Sequence, residues 1–117
     1  MSIETALLAA VQPLCARVYP DVAPINTARP YIVWQQVGGP ALMYLEGALP
    51  NKASADIQIT VWANTRLEAN SLIRQIEAVL VASATMQARP LGALIAAYDD
   101  TNELRGALQD FEIWATR

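Results

Sequence analysis

The stretch that most constrains the fold is residues 56–63, Asp-Ile-Gln-Ile-Thr-Val-Trp-Ala. Ile57, Ile59, Val61 and Ala63 alternate with Asp56, Gln58, Thr60 and Trp62, a period of two that suits a strand with one face buried and the other open. An amphipathic segment follows at once. Thr65-Arg66-Leu67-Glu68 has the form of a capping box, and Ala69, Leu72, Ile73, Ile76, Val79 and Leu80 fall on one helical stripe, with Arg66, Asn70, Arg74 and Glu77 turned to water. The segment is therefore expected to be a helix over residues 65–83. A strand with one apolar side, running straight into a helix with one apolar stripe, implies a helix packed on a sheet.

The remaining segments extend this pattern. Residues 2–17 read as a first helix, with Ser2 as cap, Glu4 in the first turn and Leu7, Leu8, Val11, Leu14, Cys15 and Val18 on one stripe. Pro13 interrupts that helix, because it removes a backbone donor. Residues 19–30 hold three prolines and are expected to lack regular structure, and residues 31–37 form a strand of aromatic and β-branched residues. Gly38-Gly39-Pro40 breaks it, and a further strand is expected over residues 41–49. Residues 86–98 and 104–116 read as strands joined by the turn Asp99-Asp100-Thr101-Asn102, with the first of these the less regular. The expected architecture is α+β: a mainly antiparallel β-sheet with two α-helices packed on one face, a single domain over residues 1–117.

Composition narrows the function. With no histidine, triad and imidazole acid–base chemistry are excluded, and one cysteine permits neither an internal disulfide nor a multi-thiolate metal site. Eight basic against 11 acidic side chains give a formal charge of −3, which disfavours binding to a nucleic-acid backbone. Apolar residues make up 54% of the chain, yet 21 of them are alanine and the longest apolar runs are six residues, far short of the roughly 20 needed to span a bilayer. The N-terminal residues carry Glu4 and no base, unlike a secretory signal.

Few side chains suggest chemistry. Asp99, Asp100 and Glu103 could hold a hard cation, but they lack cation-loop spacing and their types suit a turn. Cys15 lies on an apolar stripe with no base to activate it and reads as core. Gly38-Gly39-Pro40 lacks the Lys and Ser/Thr of a phosphate loop. No catalytic, cofactor or metal residues are expected. The tryptophans are more informative. Trp62 falls on the polar side of its strand, and Trp114 alternates with Phe111, Ile113 and Ala115 and so joins Asp110 and Glu112. Trp34 has no assignable side. Tryptophan on a polar sheet face is typical of protein contact sites, so Trp34, Trp62 and Trp114 are the candidate interface residues.

Several segments together resemble a known family. They are the amphipathic N-terminal helix followed by Val18-Tyr19-Pro20, the strand Arg29-Pro30-Tyr31-Ile32-Val33-Trp34-Gln35, and Ile57-Gln58-Ile59-Thr60-Val61-Trp62-Ala63 running into a helix with Glu68-Ala69 and Leu72. Leu104-Arg105 leading to Asp110-Phe111-Glu112-Ile113-Trp114 closes the pattern. In order and spacing these resemble the phage and prophage tail completion (tail terminator, head–tail joining) proteins. The resemblance implies a virion protein, made in the bacterial cytoplasm, that forms a ring, usually hexameric, on the head-proximal end of a tail tube. There it stops tube growth and meets a head-completion or neck protein. Gene transfer agents use similar parts. A net-negative ring would let DNA pass without binding, and strand edges and tryptophans would supply the subunit contacts. Two other readings stand beside it: a monomeric protein-binding adaptor using the same sheet face, and a small metal-assisted enzyme built on Asp99, Asp100 and Glu103.

Overall fold

A computed structural model describes residues 3–38, 52–84 and 86–116. Along the chain run α1 (Ile3–Val11), β1 (Val18–Pro20), β2 (Tyr31–Gly38), β3 (Lys52–Ala63), α2 (Arg66–Ala82), β4 (Gln87–Pro90), β5 (Ile95–Asp99) and β6 (Leu104–Thr116). The sheet has the order β1-β2-β3-β6-β4, with β5 also pairing with β6. Every pairing is antiparallel except the parallel contact of β1 with β2. Both helices lie on the face formed by the odd-numbered residues of β3 and β6. The core joins Ala6, Leu7 and Val11 of α1 and Ala69, Leu72, Ile73, Ile76 and Leu80 of α2 to Ile57, Ile59, Val61, Phe111 and Ile113. The α+β architecture read from the sequence is thus the observed one, and β6 spans the residues expected of it.

Four local features differ from expectation, each for a physical reason. First, α1 stops at Val11 rather than continuing to residue 17. Pro13 cannot donate to the carbonyl of Ala9, and the chain closes instead with Leu14 and Cys15 amides on the Val11 carbonyl. Second, Val18–Pro20, expected to be irregular in part, pairs with Ile32, Val33 and Trp34 as a short edge strand. Third, residues 86–98 are two strands. Pro90 lies opposite Phe111 and Ile95 opposite Leu108, so β6 advances three residues while its partner advances five. The surplus bulges out at residues 91–94. Buried Gln109 steadies that excursion, its Nε2 donating to the Gly92 carbonyl at 2.8 Å and to Glu77 of α2. Fourth, Arg66 does not face water: it donates to the Gly106 carbonyl and, at 2.7 Å, to the Ala97 carbonyl.

The capping expectation holds, with the Thr65 hydroxyl accepting the Glu68 amide at 3.1 Å. The Ser2 cap, Gly39-Pro40 and the strand expected over residues 41–49 lie outside the described residues.

Candidate protein interface

Among the described residues, no helix packs on the second face of the sheet. Strand register arranges this face in rows. Tyr31, Trp62, Gly106 and Ala97 form the first, and Val33, Thr60, Leu108 and Ile95 the second. Gln35, Gln58 and Asp110 follow, then Asp56, Glu112 and Arg89, then Ser54, Trp114 and Gln87. The face is therefore apolar at one end, polar and acidic in the middle, and closed by an indole at the other end.

Alternation fixed the side on which Trp62 and Trp114 project, and the structure agrees. The Trp62 ring lies over its cross-strand neighbour Gly106, where a methyl group would stand 2.7 Å from Cζ3. Indole over glycine buries the backbone that a missing side chain would leave open. Trp114 sits opposite Ser54 and Gln87, its ring N–H 3.4 Å from Glu112 Oε1. Eight residues of β3 separate the Trp62 row from the Trp114 row, about 27 Å at ~3.4 Å per residue. Trp34 is elsewhere. It lies opposite Ile59, on the helix-covered side, where it packs against the core and lines a shallow cleft with Glu4, Thr5, Leu8, Val18 and Pro20. The three tryptophans thus occupy three separate places.

The acidic row is electrostatically strained and then relieved. Asp56 and Glu112 face each other directly across β3 and β6, an unfavourable like-charge pair. Arg89 of β4 answers it with two bonds to the Glu112 carboxylate, Nε to Oε1 at 2.9 Å and Nη2 to Oε2 at 3.3 Å. The hydrogen bond from Arg89 and its charge hold the Glu112 carboxyl below its ordinary pKa, and Asp56 adds to the field that keeps Arg89 protonated. At the apolar end, burial pushes the Tyr31 hydroxyl upward, opposed by the nearby Arg29 charge.

The groups weighed for chemistry have local partners. Asp99 Oδ1 accepts the amides of Thr101 and Asn102, and its Oδ2 the Asn102 side chain; these bonds, the side-chain one first, lower the Asp99 pKa. Among the described residues, no group of three potential ligands is arranged to hold a metal ion. Cys15 is buried, with Sγ 3.4 Å from the Pro30 carbonyl. No described helix is long and apolar enough to cross a membrane.

The model of the family described as tail completion protein gp17 matches residues 3–116. The chain belongs to this family. Among curated proteins, none matches it. A tail completion protein is a structural component of a phage tail, and the family is not a class of enzymes. For such a protein the surface available to other components of the particle is the site of interest. The sequence reading missed most of its apolar end: Tyr31, Val33, Leu108 and Ile95 come together only through the register of four strands. Parity within β6 alone would have marked Leu108, and no local pattern marks Ile95.

Proposed function

We propose that this tail completion protein assembles as a ring of six on the head-proximal end of a phage, prophage or gene-transfer-agent tail tube. There it ends tube growth and joins tail to head. The observation that carries this reading is a sheet face that no described helix covers, in a chain of this family: rows of mostly part-exposed side chains, apolar at one end and acidic in the middle, with Ser54 buried in the last row. Trp62 and Trp114 on that face, and Trp34 at the rim of the α1 cleft, are the contact residues of the reading. Tryptophan supplies large contact area at little conformational cost. The excess of acid over base suits a ring whose lumen DNA must traverse without sticking.

Native mass spectrometry over a concentration series, alone and with purified tube protein, tests the proposal. Six 12.7-kDa protomers give a species near 76 kDa. Trp62→Ala and Trp114→Ala should weaken assembly while far-ultraviolet circular dichroism still reports a folded protomer. A protomer that stays monomeric and leaves tube length uncontrolled overturns the ring, and the monomeric adaptor takes its place.

A further inference from the structure

Helix α2 carries a second stripe, opposite the one it buries. Leu67, Ser71, Arg74, Ala78 and Val81 follow one another at alternating steps of four and three residues, and all five are exposed. Leu67 is 81% exposed and Val81 53%. The first four line a shallow groove along the helix. Arg74 is the only charge among the five. Its neighbours on α2 are engaged, Arg66 on the Gly106 and Ala97 carbonyls and Glu77 by the Gln109 side chain. Among the described residues, the Arg74 guanidinium meets no acceptor.

The sheet face that no described helix covers offers the complement at the same spacing. Its second row, Val33, Thr60, Leu108 and Ile95, is mostly apolar. Asp110 stands in the next row, Asp56 and Glu112 in the one after, and Trp114 in the last. Two residues of strand advance about 6.8 Å, so the acidic rows lie about 7 and 14 Å from the apolar row, and the Trp114 row about 20 Å from it. Seven residues of helix advance about 10.5 Å, which places Arg74 that far from Leu67, and Val81 about 21 Å from it. A helix laid along the strands with Leu67 on the apolar row therefore brings Arg74 between the two acidic rows and Val81 to the indole. Reversing the helix keeps the spacing, so Arg74 reaches the acidic rows in either direction.

The acidic rows hold three carboxylates against the single guanidinium of Arg89, which is spent on Glu112. Asp110 lacks a donor in the protomer: the side chain is part-exposed, and its Oδ1 has no hydrogen-bond partner among the described residues. Two copies related by a two-fold axis would leave this charge unanswered. Sheet face on sheet face sets the acidic rows, which lie mid-face, against each other, and α2 on α2 sets Arg74, the middle of its stripe, against Arg74. Helix on sheet joins unlike surfaces, the head-to-tail contact that a ring repeats.

We propose that the outer stripe of α2 on one copy lies along the uncovered sheet face of the next, with Arg74 between the Asp110 row and the Asp56–Glu112 row. The inference rests on the ring reading and names the two surfaces that its repeat joins.

The test uses the full chain with p-benzoylphenylalanine in place of Leu67, mixed as light and heavy-isotope copies, with purified tube protein present. After irradiation, cross-links between copies should fall on Val33, Ile95, Leu108 or Trp114. Arg74→Glu in that chain should lower their yield at least tenfold at an unchanged melting temperature, and adding Asp56→Lys should recover at least threefold. A cross-link to the tube protein, to another surface of the second copy, or to nothing overturns the proposal. So does a yield that Arg74→Glu leaves unchanged, or one that Asp56→Lys fails to raise in a chain still folded by circular dichroism. Native mass spectrometry of the same sample keeps the two readings apart. A ring of six without these cross-links ends this inference alone, whereas these cross-links in an assembly of another size end the ring of six and uphold the contact.

Discussion

Replacing Gly106 with alanine isolates the contact that seats Trp62 on the sheet. A Cβ at this position would stand 2.7 Å from Trp62 Cζ3, 2.8 Å from Cε3 and 3.2 Å from Cη2. Carbon atoms rest at roughly 3.5–4.0 Å, so the indole must lift by about 1 Å. Such overpacking costs about 1–3 kcal/mol, while alanine in a strand regains roughly 0.5–1 kcal/mol lost to glycine's flexibility. The net expectation is a destabilisation of about 1–2 kcal/mol, a fall in melting temperature of roughly 3–10 °C for a domain of this size. In a Trp62→Ala background the clash is gone, and the same substitution should stabilise by roughly 0.5 kcal/mol or more. Urea unfolding of the four proteins, followed by circular dichroism, measures the coupling directly, expected at about 1–3 kcal/mol. Equal destabilisation by Gly106→Ala in both backgrounds would refute the argument, because the strain would then lie somewhere other than under the indole.

Three further substitutions follow from the same geometry. Gln109→Ala leaves the Gly92 carbonyl and a Glu77 oxygen without their donor, so stability should fall by about 1–3 kcal/mol and amide exchange should quicken at residues 91–94. Thr65→Ala removes the acceptor for the Glu68 amide and should cost about 1 kcal/mol by thermal unfolding, whereas Thr65→Ser should be nearly neutral. The depressed pKa of Glu112 adds stability that is complete above the unfolded glutamate value and is lost as pH falls through the lower folded value. Arg89→Gln should therefore flatten the acid limb of the melting-temperature profile below about pH 4.5, and parallel profiles for the two proteins would refute the linkage.

What could be read from the chain beforehand follows the range of the forces involved. Alternation over residues 56–63 and 110–115 is a local property, so the faces of β3 and of the second half of β6, and with them those of Trp62 and Trp114, were legible. The Thr65 cap is equally local. β1 was not legible, because three residues in a proline-rich stretch become a strand only when β2, eleven or more residues on, offers its edge. The side chosen by Trp34 was hidden for the same reason: Ile32 and Trp34 turn inward because they meet Val61 and Ile59. The break at residues 91–94 depends on Gln109, which alternation places on the buried side as a polar anomaly. That anomaly was the available signal, a buried amide that must find partners.

The edges of the sheet bear on how such a protein can associate and still stop. An open edge of paired strands is a template for indefinite addition, and this sheet blunts both of its edges. Pro20 ends β1, and β2 beyond Trp34 shifts register between Gln36 and Gly38. On the opposite side Pro90 ends β4, and the excursion at residues 91–94, tied down by Gln109, separates it from the five residues of β5. Among the described residues, strand addition along either edge is therefore short and interrupted. Among the described residues, the proposed reading leaves association to side chains on the sheet face that no helix covers, and such contacts are used up once a partner is seated. On the proposed reading this is the property required of a component that adds one layer to a tube: contacts that saturate, in place of an edge that would recruit the next copy without limit.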